Sequence, residues 1–192
     1  IDTTGRSSLV ARSLGVHRHQ LDVLCGVSAV FESDWPGRTL LVGAAPYGWW
    51  YVAPVPPNRT MACLVTDVDV IRTIRALEPR VWSTLASHTS LIGSAVSSGS
   101  VANLKVHPCE TSTLEYFGGQ AWLAAGDAAS IFDPLSSAGV HKALASGREA
   151  AAAAIGWLDD IASAVNEYGE RRRQEFDWYL RRRCAQYSIE QR

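Results

Sequence analysis

Residues 122–142 constrain the fold of this chain more than any other segment. Trp122 to Ala125 is a short apolar run, the pattern of a strand buried on both faces. Gly126 and Asp127 end it. Asp133-Pro134 enforces an extended turn, because the proline ring clashes with a helical residue before it. From Gly139 to about Leu158 the chain is mostly alanine and other good helix formers. The segment therefore reads as strand, tight polar loop and long helix. The first N–H groups of such a helix lack intrahelical partners, and the dipole is positive there. A small residue at that end lets a ligand approach the backbone. An electron-rich ring edge or an anion suits the site. The same pattern also accommodates an ordinary strand–loop–helix unit, with Asp127 capping locally and Gly139 permitting a turn.

Upstream, the periodicity changes to that of a sheet. Leu21 to Glu32 alternates, with Leu21, Val23, Cys25, Val27, Ala29 and Phe31 on one face and Asp22, Ser28 and Glu32 on the other. Asp34 to Gly37 reads as a turn. Thr39 to Ala45, Tyr47 to Val55 and Thr60 to Thr66 follow as strands, separated by Pro46 and by Pro56-Pro57-Asn58, which predicts an antiparallel meander. Tyr47, Trp49 and Tyr51 share one face of their strand and Trp50 takes the other. Helical spacing then takes over. Asp67 or Asp69 caps a helix carrying Val70, Ile71, Ile74 and Leu77, and Pro79 restarts it. Gly93 to Gly99 is expected as a loop, Val101 to His107 as a strand and Glu110 to Gln120 as a connection. After the long helix, Asp159 or Asp160 should cap a last one, with Ile161, Val165, Tyr168, Phe176, Tyr179, Leu180 and Cys184 at helical spacing.

Composition excludes several function classes. A net charge of −1 gives no long-range attraction to nucleic acid or to an anionic membrane. The runs Arg171–Arg173 and Arg181–Arg183 are balanced by Glu167, Glu170, Glu175 and Asp177, so a solvated helix face is expected. No apolar stretch reaches the roughly 18 residues that span a bilayer. Cys25, Cys63, Cys109 and Cys184 form no Cys-x-x-Cys pair, and inert buried thiols in a reducing cytoplasm are expected. His17-x-His19 reads as a loop, no carboxylate completes a metal site beside it, and no metal is expected.

Gly126-Asp127-Ala-Ala, Asp133-Pro134 and Ser-Ala138-Gly139-Val140-His together resemble the second flavin-binding motif of FAD-dependent aromatic hydroxylases and flavin-dependent halogenases. The resemblance implies that Asp127 binds the ribityl chain of FAD. It also implies that Ala138, Gly139 and Val140 face the pyrimidine edge of the flavin, with Gly126 and Pro134 shaping the loop. Ile1-Asp2-Thr3-Thr4-Gly5-Arg6 is similar to the family's run past the adenosine half of FAD. Gly48-Trp49-Trp50-Tyr51-Val52-Ala53-Pro54 resembles the tryptophan-rich strand of the halogenases, in which Trp49 and Tyr51 would form a substrate wall. An aromatic strand packed in a sheet, without chemistry, fits those residues equally.

The implied fold class is α/β with an α+β substrate sheet: an antiparallel substrate-domain sheet plus the C-terminal part of a Rossmann-like FAD-binding fold. Residues 1–18 would end the first FAD segment, 19–118 form the substrate domain, 119–158 carry the strand–loop–helix and 159–192 the last helix. No Gly-x-Gly-x-x-Gly occurs in the chain. That fingerprint supplies the pyrophosphate site, and in the resembled family it lies upstream of the Asp2 segment. The expectation is a C-terminal portion, inactive alone, whose N-terminal FAD-binding part is absent or carried on another chain.

The resemblance further implies an oxidoreductase in which reduced FAD takes up O₂ to form a hydroperoxide. That species either hydroxylates an aromatic ring or oxidises a halide. Ser136, where tryptophan halogenases place a glutamate, and Tyr51 and Ala53 in the aromatic strand favour monooxygenation over halogenation. The expected partners are a small, aromatic substrate, O₂, and NAD(P)H or a separate flavin reductase. No catalytic residue is assigned. A non-catalytic partner protein retaining the fold stays open as a different class.

Overall fold

The structure, a computed structural model, describes residues 1–33, 35, 38–96 and 101–189. The expected turn at Asp34 to Gly37, apart from Trp35, and residues 97–99 of the expected loop lie outside them. In chain order the strands are β1 (Arg18–Gln20), β2 (Leu24–Glu32), β3 (Leu41–Ala45), β4 (Gly48–Val55), β5 (Arg59–Asp67), β6 (Lys105–Pro108), β7 (Ser112–Leu114), β8 (Gly118–Gly119), β9 (Trp122–Leu123) and β10 (Ser130–Ile131). The helices are α1 (Leu9–Ser13), α2 (Val68–Thr73), α3 (Pro79–Ser87), α4 (Ser90–Val96), α5 (Gly139–Leu158) and α6 (Ala164–Ser188). They form two compact units, residues 23–109 and residues 1–22 with 110–192.

The unit of residues 23–109 is built on a five-stranded antiparallel sheet of order β3-β4-β5-β2-β6. The hairpins β3-β4 and β4-β5 follow the expected meander. However, β2 pairs with β5 rather than with its sequence neighbour β3. One face of the sheet holds Cys25, Val27, Ala29 and Phe31 of β2, Trp50 and Val52 of β4, and Ala62 and Leu64 of β5, covered by Ile71, Trp82, Ala86 and Ile92 of the helices. Alternation therefore did its work from Leu24 onward. Leu21 and Val23 are half-exposed and outside the strand. Trp50 and Trp82 meet edge to face, with ring centroids 4.9 Å apart, and the Trp82 indole N–H donates to the Val27 carbonyl at 3.0 Å.

Several local expectations are corrected in this unit. Tyr47 lies in the turn before β4 and packs on the core with Trp50, its hydroxyl donating to the Leu85 carbonyl at 2.8 Å. It does not share a face with Trp49 and Tyr51, because a turn residue does not follow the strand's alternation. Residues 93–96 are helical, in α4, where three serines and two glycines of the segment 93–99 had read as a loop. The strand expected from Val101 begins at Lys105.

The other unit contains the sheet β1-β7-β10, the short ladder β8-β9 and the helix pair α5 and α6. His19 is in β1, not in a loop, and the connection Glu110 to Gln120 contains β7 and β8. Its core is small-residue rich: Ala11, Ala124, Ala125, Ala128, Ala129, Ala150 and Ala153 pack with Leu114, Phe117, Leu123 and Tyr168. The alanines let the long helix lie close over the motif strand. The helix α5 begins and ends where the alanine-rich pattern placed it. Asp159 caps the C-terminus of α5 instead of starting α6, and Ser163 precedes α6. Ile161 is exposed accordingly. No helix among the described residues is long and apolar enough to cross a membrane.

Candidate functional site

The motif strand finds its partner at the start of the chain. Asp2 and Ala124 form a parallel bridge, with the Asp2 N–H donating to Leu123 O at 2.6 Å and the Ala125 N–H donating to Asp2 O at 3.0 Å. Both bridged segments then run into 3₁₀ turns, Gly5–Ser7 and Gly126–Ala128. Gly5 and Gly126 have φ of +64° and +60°, the left-handed region in which a side chain is strained. The ends of two segments bridged in parallel are thereby set side by side.

Asp2 organises the first of these ends. Its Oδ1 accepts from the Thr4 amide at 3.0 Å and the Thr4 hydroxyl at 2.6 Å, and its Oδ2 accepts from the Val10 and Ala11 amides at 2.9 and 3.3 Å. Burial pushes this carboxyl up, but the Thr4 hydroxyl and the three amides hold it below its ordinary value. Asp2 thus caps α1 from a distance.

Asp127 occupies the second end, in the turn after the motif strand. Its carboxylate is 44% exposed and its Oδ1 lies 3.0 Å from Lys142 Nζ, whereas Lys142 itself is only 2% exposed. Lys142 also donates to the Ser130 carbonyl and lies over the Phe132 ring, 4.5 Å from its centroid. Burial lowers the Lys142 ammonium below its ordinary range, against the pull of Asp127. Arg18 of β1 donates from Nη2 to the carbonyls of Asp127 and Ala128 at 3.0 and 2.7 Å, and to the Ser8 hydroxyl. Neither cation was expected from the sequence. Lys142 was identifiable in principle, as a charged residue three positions beyond Gly139 in an alanine-rich helix; Arg18, between His17 and His19, carries no such signal.

The loop between Asp127 and α5 is pinned from below. Asp133 is extended, as the following proline requires, and its Oδ1 accepts from the Leu135 amide at 2.6 Å. Its Oδ2 lies 3.1 Å from Arg183 Nε, and its own N–H donates to the Tyr179 hydroxyl at 2.8 Å. The Phe132 and Tyr179 rings stack, with centroids 3.9 Å apart and planes within 2°. Pro134 opens a short 3₁₀ turn, Pro134–Ser136. The arginines of α6 are therefore not all solvated. Arg183 bridges Asp133 and Asp22, and Arg172 is 5% exposed between Glu149 and Glu175. Charge counting along one helix cannot see carboxylates supplied by other segments.

Ala138, Gly139 and Val140 start α5, whose N-terminus has no side-chain cap. A Cβ on Gly139 would meet no atom within 4 Å, so internal packing does not demand glycine there. Val140 projects outward at 77% exposure. Beside the loop a cavity of about 490 Å³ opens between Phe132, Ser136, Ala138, Trp178 and Tyr187. The structure thus brings Gly126, Asp127, Pro134, Ala138, Gly139 and Val140 into one strand–loop–helix unit.

Trp49 and Tyr51 belong to the other unit, on the sheet face opposite its core. Their ring centroids are 5.9 Å apart. Tyr51 is hydrogen-bonded to the Cys63 thiol; burial raises both groups, Cys63 up to about 12. Cys25, Cys63 and Cys109 are buried, whereas Cys184 is exposed on α6.

No family model matches the chain. A protein of Marinomonas mediterranea named "Putative FAD-dependent oxidoreductase LodB" is 27% identical over 199 residues, covering all of this chain and 52% of that protein. The chain thus spans about half the length of the curated relative it matches. Among solved structures, the flavin-dependent halogenase CmlS matches with a TM-score of 0.79 at 22% identity, over 93% of this chain and 34% of that one. The myxobacterial chondrochloren halogenase CndH gives 0.80 at 19% identity, over 92% and 44%. The peptidyl tryptophan dihydroxylase QhpG, essential for tryptophylquinone cofactor biogenesis, gives 0.71 at 19% identity, over 85% and 39%. At these identities the likeness is one of fold, and the chain has the fold of part of the flavin-dependent halogenases and aromatic hydroxylases.

Proposed function

We propose that this chain supplies the ribityl and flavin-edge side of an FAD site in an oxidoreductase, one that hydroxylates an aromatic or other organic substrate. The observation that carries the reading is the parallel pairing of Asp2 with Ala124. Ligands of open α/β sheets bind outside the carboxyl ends of their parallel strands, and the Gly5 and Gly126 turns follow the two segments bridged in parallel. The residues present fit the cofactor. Asp127 Oδ2 has no hydrogen-bond partner among the described residues and suits a ribityl hydroxyl. The uncapped amides at the start of α5 suit an electron-rich ring edge.

FAD, when bound, supplies the oxygen-activating redox chemistry. Asp127 orients the ribityl chain. Gly126 and Pro134 shape the loop, and Ala138, Gly139 and Val140 admit the ring edge and favour negative charge there. Trp49 and Tyr51 offer an aromatic wall that excludes water from the substrate. Electrons come from NAD(P)H or a separate reductase. The pyrophosphate contacts belong to polypeptide outside these 192 residues, in the same protein or in another chain.

Ser136, Tyr51 and Ala53 support oxygenation over halogenation. Given reduced FAD, O₂ and chloride, the whole protein is expected to yield an oxygenated product without chlorine. A chlorine isotope pattern in the product's mass spectrum would establish halogenation instead. A whole protein that purifies without a flavin absorption band, and gains none with added FAD, would leave only the non-catalytic partner reading.

A further inference from the structure

We propose that Lys142 is a positioning residue of the FAD site, holding Asp127 Oδ1 so that Oδ2 faces the ribityl hydroxyls. This rests on the ribityl role of Asp127 given above. The ammonium of Lys142 is the one side-chain group that bonds the Asp127 carboxylate among the described residues. Arg18, the other nearby cation, donates to the backbone carbonyls of Asp127 and Ala128 and attracts the carboxylate without a hydrogen bond to it. Arg18 therefore holds the turn, and Lys142 orients the side chain.

The burial of the two partners is unequal, and the inequality gives the pair its use. Lys142 is 2% exposed and Asp127 44%. As a device for fastening a helix to a loop, a buried ion pair is a poor choice, since apolar side chains of similar volume often stabilise as much. The buried ammonium needs compensation, which it finds in Asp127 Oδ1, the Ser130 carbonyl and the Phe132 ring. With three sides committed, the lysine cannot turn away. The carboxylate is left with one oxygen fixed and the other facing outward. Lys142 lies on α5, three residues beyond Gly139. The same rigid helix start that would meet the flavin edge thus also sets the carboxylate that would meet the ribityl chain, so the two contacts keep a fixed spacing. A ligand hydroxyl then finds an acceptor already oriented, and less freedom is lost on binding.

The test is a double-mutant cycle on FAD affinity in the whole protein, with Lys142→Met, Lys142→Arg, Asp127→Asn and the Lys142→Met/Asp127→Asn double variant. Equilibrium titration followed by flavin fluorescence gives affinity, and thermal unfolding of the apoprotein is read separately. Lys142→Met and Asp127→Asn are each expected to weaken FAD about tenfold or more. The double variant should bind no worse than Asp127→Asn, and Lys142→Arg should recover most of the affinity. Should Lys142→Met not yield folded apoprotein, Lys142→Gln takes its place in the cycle. Losses that multiply in the double variant would show Lys142 acting independently of Asp127 and overturn the proposal, as would unchanged affinity in Lys142→Met. An Asp127→Asn variant of unchanged affinity would instead refute the ribityl role itself, and Lys142 would fall with it.

Discussion

Two buried residues of this chain carry more than their packing. Asp2 is held charged by one hydroxyl and three amides. Its folded value is lowered from 3.8, so its contribution is present in full above that unfolded value and is lost as pH falls through the lower folded one. Asp2→Asn should therefore flatten the acid limb of the stability curve below about pH 4, as chemical denaturation at a series of pH values would record. Tyr168 offers a second check. It is fully buried and its hydroxyl donates to the Ala124 carbonyl at 2.6 Å, tying α6 to the motif strand. Tyr168→Phe should destabilise the fold by about 1–3 kcal/mol, since a buried acceptor loses its donor. Urea denaturation showing no change would mean that another donor replaces it. Neither residue announced itself in the sequence: Asp2 read as part of a cofactor-side run, and Tyr168 as one member of an apolar stripe.

At the scale of elements, sequence legibility followed the physics of each. The helix α5 was readable to its ends because alanine content and a leading glycine act locally. β2, β4 and β5 were readable because alternation survives wherever one face is buried. The strand at Trp122 was legible as an apolar run, though only Trp122–Leu123 form β9; the two-residue strands β8 and β10 were not, since two residues have no period, and the bridge Asp2–Ala124 joins segments 122 positions apart. The pinning of the 132–136 loop by Tyr179 and Arg183 was invisible for the same reason. The β3-β4 hairpin makes a sharp prediction. Gly48 has φ +153°, and a Cβ there would sit 2.4 Å from the Val65 carbonyl oxygen and 2.8 Å from Thr66 Cβ. Gly48→Ala should cost on the order of 1–3 kcal/mol through overpacking against backbone. Hydrogen exchange should locate the loss in β4 and β5. Protection unchanged in those strands would contradict the hairpin geometry.

At the scale of the molecule, the proposed function assigns the parallel bridge and the Gly126–Gly139 unit to one side of a dinucleotide site, and these 192 residues contain no Gly-x-Gly-x-x-Gly for the other. Residues 1–192 alone should therefore not hold FAD. The absent contacts to two phosphates are charge-assisted bonds of about 1.5–3 kcal/mol each, and losing several takes even nanomolar affinity to a negligible level. Saturable micromolar binding by a monodisperse preparation of these residues would refute that division of the site.

The central claim is that Asp127 anchors the ribityl chain, and equilibrium titration of the whole protein with FAD, beside its Asp127→Ala variant, tests it most directly. The predicted result is a loss of affinity of about 10- to 150-fold in the variant, the equivalent of one charge-assisted hydrogen bond of about 1.5–3 kcal/mol. Equal affinities, with equal flavin content after exhaustive dialysis, would contradict the account.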